Sequence, residues 1–309
     1  MVLATHRDHF PALVASALRE PESLSPRESD ALKFMTREFL TAKRGHEITI
    51  LRELLQHPLT RRDIADLLAA RGWEDTDTIV TGLIRIFTME FHTGQEVNQT
   101  YGSPIALRLD DGLRLASDVA ESYGEGGGFT EAVDDLIATG SALIDARYDS
   151  ARPLTPGVQY TRKDACKLLG WENNEQGVIY GYKLHQGTHT CPIFVTLHKS
   201  DDIAASTRYE DTLVDRSTMR WFTRPNKTRQ TPEVRSIVAG DYALHVFVKK
   251  DDAEGSDFYY LGEATAKDPQ QTTIINDHGQ EQPIVMMTLD LSAPMEAGLY
   301  DYFHPVLTT

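Results

Sequence analysis

Hydrophobic positions along the first 150 residues recur at helical spacing. SDALKFMTREFLTAKRG (29–45) predicts a helix with Ser29 as N-cap and Gly45 as stop. ITILRELLQHP (48–58) predicts a second helix, and LTRRDIADLLAARG (59–72) a third, with Thr60 as cap and Asp63 in the first turn. A fourth covers DTIVTGLIRIFTMEF (77–91). In SPIALRLDDGLRLAS (103–117) apolar residues alternate around an Asp-Gly pair, which predicts a hairpin. Helices followed by a hairpin suggest a winged-helix unit. The glycine run in ESYGEGGGFTEAVDDL (121–136) reads as a flexible joint before a helix at 130–146, followed by a linker.

From residue 158 the period changes. TRKDACKLLGW (161–171) is a short helix with Thr161 as cap and Asp164 three positions on. VIYGYKLH (178–185) and PIFVTLH (192–198) read as strands. TPEVRSIVAG (231–240) is a helix bounded by Thr231, Pro232 and Gly240. DYALHVFVKK (241–250), SDFYYLGEA (256–264) and PIVMMTLDL (283–291) are further strands, and APMEAGLYDYF (293–303) a closing helix. The expected fold class is α+β: a helical, winged-helix-like coupler over 1–130, a helix and linker over 131–157, and a curled β-sheet or open barrel with flanking helices over 158–309.

Composition adds limits. A 309-residue chain with 40% hydrophobic and 25% charged residues is an ordinary globular protein. No apolar run approaches a membrane span, and MVLATHRDHF has no signal-peptide core, so a cytoplasmic protein with no membrane contact is expected. Two cysteines, Cys166 and Cys191, are too few for a disulfide framework. The net charge of −15 opposes broad phosphate binding. The acidity is concentrated in residues 1–150, however, and the run from Arg216 to Arg235 holds six basic residues.

Catalytic signatures are missing. The chain has no G-x-x-x-x-G-K-[ST] loop, no G-x-G-x-x-G after a strand, no H-E-x-x-H and no C-x-x-C. His185, His189 and Cys191 flank one turn, which reads as incidental rather than as a metal site. No catalytic residue, metal or cofactor is assigned.

Aromatic and basic residues interleave between 160 and 230. In a strand, Tyr180, Tyr182 and Leu184 share one face and Lys183 and His185 the other. The two tyrosines are either barrel core or a stacking surface for a nucleobase. Phe194, Tyr209 and Trp221 complete an aromatic set, and Asp211 is either a turn cap or an acceptor for an exocyclic amine. Arg162, Lys183, Lys199, Arg220, Arg224, Lys227 and Arg229 are candidate phosphate contacts.

YTRKDACKLLGWENNEQGVIYGYKLHQGTHTCPIFVTLHKSDDIAASTRYED, with RWFTR, LHVFVKKDDAEGSDFYYLGEA and LYDYF, closely resembles a C-terminal domain long labelled as of unknown function. That domain ends helicase proteins with a phospholipase-D-like nuclease, which look like ATP-dependent type IV restriction enzymes. The resemblance covers about residues 131–303, with Trp171, Tyr180, Tyr182, His198, Tyr209, Asp211, Trp221 and Arg224 at its strongest motifs. It implies a fold similar to SET-and-RING-associated (SRA) domains, which flip 5-methylcytosine into an aromatic pocket. The partner it implies is double-stranded DNA with 5-methylcytosine or 5-hydroxymethylcytosine. Motor and nuclease motifs are absent, so the expectation is a non-enzymatic recognition part: a fragment, or a reader working with a separate helicase or nuclease subunit. The competing reading is an interaction module that docks such a subunit without touching a base.

Overall fold

The computed structural model describes residues 24–92, 100–148, 152–198, 211–276 and 278–304. The chain divides into two compact units. One runs up to Pro153 and includes Glu172–Asn174; the other comprises Leu154–Trp171 and the chain from Glu175 onward. The architecture is mixed α+β, with a curled half-barrel sheet.

The first unit opens with α1 (Pro26–Met35), which starts four residues earlier than the apolar spacing suggests. Ser25 and Glu28 form a complete capping box around Pro26 at the first helical position, so Ser29 lies inside the helix. A π-helical turn, Thr36–Leu40, follows, and Gly45 precedes α2 (His46–Leu54) instead of closing one long helix. Next come β1 (Leu59–Thr60) and α3 (Arg61–Ala69), the latter held by the expected Thr60–Asp63 capping box. Then come α4 (Asp77–Phe87), β2 (Ala106–Leu109) and β3 (Gly112–Leu115), with strand order β1-β3-β2. The hairpin turn is Asp110–Asp111, not Asp-Gly, because Leu109 pairs with Gly112. Gly112, at φ +140°, lies where a Cβ would sit 2.0 Å from the Leu59 carbonyl oxygen. The glycine therefore serves the β1–β3 pairing. The run read as a flexible joint is a tight turn between two helices, α5 (Ser117–Gly124) and α6 (Gly128–Arg147).

In the second unit β4 (Gln159–Tyr160) leads into α7 (Arg162–Leu168), started by the Thr161–Asp164 capping box. The main sheet contains β5 (Thr190–His198), β6 (Thr212–Leu213), β7 (Thr218–Phe222), β8 (Ala243–Asp251), β9 (Phe258–Ile275) and β10 (Glu281–Leu291), in the order β5-β8-β9-β10-β7-β6. The β5–β8 pair is parallel; the other pairs are antiparallel. β9 runs eleven residues beyond its expected end at 264. Its polar second half pairs with β10, and a register shift near Asp268 (φ +50°) accommodates Pro269.

One sheet face is the core. It gathers Cys191, Ile193 and Val195 from β5, Leu244, Val246 and Val248 from β8, Val285, Met287 and Leu289 from β10, and Met219 and Trp221 from β7. Val234 and Ile237 of α8 (Pro232–Ala239) and Phe303 of α9 (Ala297–Phe303) join this core. Each such side chain contributes about 1.5–3 kcal/mol on burial. The opposite face of β5 and β8 carries an aromatic cluster: Phe194 stacks on Phe247 at 4.6 Å and meets Phe258 edge-on at 5.0 Å.

Candidate functional site

β5 and β7 stand near opposite ends of the strand order, yet both line one open cleft of about 410 Å³. Phe194, Val195 and Thr196 come from β5, Trp221 to Pro225 from β7 and the turn after it, and Asp211 from the approach to β6. Tyr180, Gly181, Tyr182 and Asp252 complete the lining. The cleft thus lies at the seam of the curled sheet.

The segment 178–185 is not the continuous strand its alternation suggests. A 3-10 turn, Gln176–Val178, leads into isolated bridges at Tyr180, Tyr182 and His185. Gly181 adopts φ +74°, which reverses the local alternation. Tyr180 and Tyr182 therefore do not share a face. The Tyr180 ring is 68% exposed, whereas Tyr182 is 1% exposed and belongs to the core. Trp221 is 2% exposed and meets Tyr182 edge-on at 4.9 Å. Phe194, 5% exposed, is bound into the aromatic cluster on its other side. Of these four rings only Tyr180 offers a free face.

Asp211 lines the cleft with its carboxylate tied to the sheet: Oδ1 accepts from the Phe222 amide at 2.9 Å. It is thus both a turn anchor and a cleft acid. The turn after β7 is pinned at Thr223, whose amide donates to the Val285 carbonyl at 2.9 Å and whose hydroxyl accepts from the Val285 amide at 3.0 Å. The Thr231 hydroxyl accepts from the Thr228 amide at 2.9 Å and so folds this loop; it does not cap α8 as the sequence suggests.

Most of the candidate phosphate contacts are engaged within the fold. Lys183 pairs with Glu175. Arg224 and Lys227 share the carboxylate of Glu233, at 2.8 and 2.5 Å. Burial alone would raise the Glu233 pKa, but Lys227 and Arg224 bonds hold it below the ordinary carboxylate value. Arg162 is partly buried. Its guanidinium lies over the rings of Phe194 (5.1 Å) and Phe258 (5.0 Å), and burial lowers its pKa. Arg220 and Arg229 are exposed. Tyr209 and Lys199 lie outside the described residues.

The guanidinium carbon of Arg224 stands 4.5 Å over the ring of Tyr182. The Tyr182 hydroxyl is buried without a hydrogen bond of standard geometry, and burial, then Glu233, pushes its pKa up. Arg224 also lines a second cavity, of about 430 Å³, together with Lys183, Leu184, Glu233, Ser236 and Tyr242. Of the turn residues flagged for metal, His185 stacks on Trp171 at 4.4 Å and Cys191 is buried in the core. Among the described residues, no three His, Cys, Asp or Glu side chains gather to hold a metal ion.

Residues 154–303 match a family described as a domain of unknown function, DUF3427. Residues 1–149 match a second domain of unknown function, DUF8090. No curated protein matches the chain. Among solved structures, the chain is similar to the MspJI restriction endonuclease in complex with a 27-mer oligonucleotide, at 15% identity and a TM-score of 0.26, over 33% of this chain and 28% of that one. The DNA modification-dependent restriction endonuclease AspBHI aligns at 13% identity and a TM-score of 0.33, over 50% and 85%. The sulfur-binding and SRA domains of ScoMcrA, complexed with phosphorothioated DNA, align at 12% identity and a TM-score of 0.29, over 94% of each chain. The chain thus spans less than a third of the MspJI chain.

Thr196, Thr223, Asp252 and Glu233 were not singled out from the sequence. Thr223 and Glu233 sit inside the basic run and carry no local signal, because their partners come from β10 and from the far end of the loop. Asp252 follows β8 directly, and its place on the cleft wall depends on β5 and β8 pairing in parallel.

Proposed function

We propose that the C-terminal unit reads a modified cytosine turned out of duplex DNA. In this reading it is the recognition part of a modification-dependent restriction system whose helicase and nuclease lie on other domains or subunits. The observation that carries the proposal is the seam cleft itself. An exposed tyrosine ring and a fixed carboxylate open onto one space of about 410 Å³, within the roughly 300–1,000 Å³ of ligand pockets. The base stacks on Tyr180, Asp211 accepts from the cytosine N4 amine, and Phe194 faces the 5-substituent. Arg220 and Arg229 meet phosphates. A 5-methyl group adds about 0.8 kcal/mol of burial, a several-fold preference over cytosine.

The order helix–strand–helix–helix–hairpin, with strands β1-β3-β2, supports a winged-helix reading of the first unit. Its candidate recognition helix, α4, supplies little to a phosphate backbone. Its basic residue, Arg85, donates to the Glu90 carbonyl at 3.2 Å, and Asp77 starts the helix. This unit is proposed as a coupler. It is expected to add little DNA affinity.

The test is a titration of labelled duplexes carrying cytosine, 5-methylcytosine or 5-hydroxymethylcytosine, with a phosphorothioated duplex as a comparison arm. Tighter binding of a modified-cytosine duplex is expected; equal affinity for all removes the reading. Incubation with modified DNA and Mg²⁺, with and without ATP, is expected to leave the DNA uncut.

One observation favours a second reading. With the chain at −15 and Lys183, Arg224 and Lys227 tied to carboxylates within the fold, the unit resembles a docking module for a separate helicase or nuclease. That reading predicts a co-purifying partner and no duplex binding at moderate salt.

A further inference from the structure

Arg224 lines both of the cavities described above and stands between the aromatic floor of the first and the polar wall of the second. Its position is held by two different attractions. The guanidinium lies 4.5 Å over the Tyr182 ring, and Nη2 donates to Glu233 Oε1 at 2.8 Å. Its Nε is buried without a hydrogen-bond partner, which marks a side chain placed by stacking and one ion pair and not by a full set of bonds. A guanidinium is planar and delocalised, and it stacks on an aromatic face much as a base does. With Trp221 against its edge and Arg224 over its face, Tyr182 is left 1% exposed. A base entering the cleft meets Arg224 at the face that Tyr182 would otherwise present.

We propose that Arg224 is a placeholder for the base. In the structure it occupies the stacking position on Tyr182. When a base enters, it swings into the second cavity, tethered to Glu233. This rests on the base-reading proposal and adds a second aromatic surface that becomes available only after the exchange. The base is then held between Tyr180 at the lip and Tyr182 at the floor. The exchange filters for ligands flat enough to replace a guanidinium, because a non-planar group gains no stack in return for the one it breaks.

A phosphate contact and a placeholder predict opposite signs. If Arg224 grips phosphate, Arg224→Ala weakens duplex binding and lowers the salt dependence by about one counterion. If it is a placeholder, Arg224→Ala tightens binding of the modified duplex by about two- to twentyfold, with the salt dependence unchanged. Arg224→Lys keeps the charge and loses the planar stack, so it also tightens binding, and it serves if the alanine variant folds poorly. Weaker or unchanged affinity in both variants overturns the proposal.

A second measurement needs no DNA. Hydroxyl-radical oxidation of Tyr182, read by mass spectrometry on the full chain, is expected to be low in the wild type and several-fold higher in Arg224→Lys and Glu233→Gln. Unchanged protection of Tyr182 in both overturns the placeholder even if no duplex binds. Failure of the wild type to prefer any modified duplex overturns base reading alone.

Discussion

The amide of Phe194 donates to the carbonyl of Gly181 at 2.6 Å, stapling the edge of the sheet to the one residue that separates Tyr180 from Tyr182. With Gly181 at φ +74°, this bond sends one tyrosine outward and the other into the core. The two rings therefore answer different experiments. Tyr180→Ala is expected to leave the unfolding free energy within about 0.5 kcal/mol of wild type, because the ring is exposed. It should lower affinity for modified duplex by about 1–3 kcal/mol, the worth of one base–aromatic stack. Tyr182→Ala removes a core ring and should cost about 3–5 kcal/mol of stability. Urea denaturation beside duplex titration separates the two; a Tyr180→Ala variant with full affinity contradicts the stacking role.

Asp211 Oδ1 accepts from the Phe222 amide, and the residue also lines the cleft. Asparagine retains an acceptor for the Phe222 amide but presents an NH₂ group where the carboxylate was. Asp211→Asn is expected to fold normally and to lose most of the preference for modified cytosine. Asp211→Ala should in addition lose about 1 kcal/mol of stability. Unaltered discrimination in the asparagine variant would confine Asp211 to its structural role.

In the first unit the most sensitive single position is Gly112. A methyl group there collides with the Leu59 backbone, and the φ of +140° excludes ordinary side chains. Gly112→Ala is expected to cost on the order of 3 kcal/mol or more and to unpair β1 from β3. Hydrogen exchange at the Leu59–Thr60 and Gly112–Leu113 amides reads this directly.

His245 is buried beneath the aromatic cluster, its ring bonded to the Tyr260 hydroxyl at 3.1 Å, and burial depresses its pKa from 6.5 to about 4. The folded state therefore binds fewer protons than the unfolded chain between those values. The stability linked to this group is complete above pH 6.5 and is lost as pH falls toward 4, at up to about 1.4 kcal/mol per pH unit. His46 in the first unit, pushed down to about 3 by burial, acts in the same direction. His245→Gln is expected to flatten the pH dependence of the urea midpoint by one proton's share between pH 6.5 and 4. A slope equal to wild type would mean that His245 already titrates freely in the native protein.

The features legible in the sequence are those whose two partners lie within one turn of chain. The Thr60–Asp63 and Thr161–Asp164 boxes, the left-handed Gly240 after α8 and the strands rich in branched residues all fall in this class. Ser29 was the wrong cap because a proline one residue after Ser25 makes the earlier box the better helix start. Elsewhere the deciding partner is remote in sequence. Phe258 lies against the Arg162 guanidinium, and Glu233 binds Arg224 and Lys227, so these three cations are engaged by the protein while Arg220 and Arg229 stay exposed. The residues that line the cleft could be gathered by type, but which ring stays open was decided by the backbone at Gly181.

Two cations share the single carboxylate of Glu233, so the trio of Arg224, Lys227 and Glu233 keeps one surplus positive charge, set against the Asp211 and Asp252 carboxylates that line the cleft with Arg224. On a molecule whose overall field repels polyanions, that local surplus reaches only about 8 Å in physiological salt. Under the proposed base reading, a charge of that reach does not draw DNA from a distance, so delivery of the duplex falls to another domain or subunit.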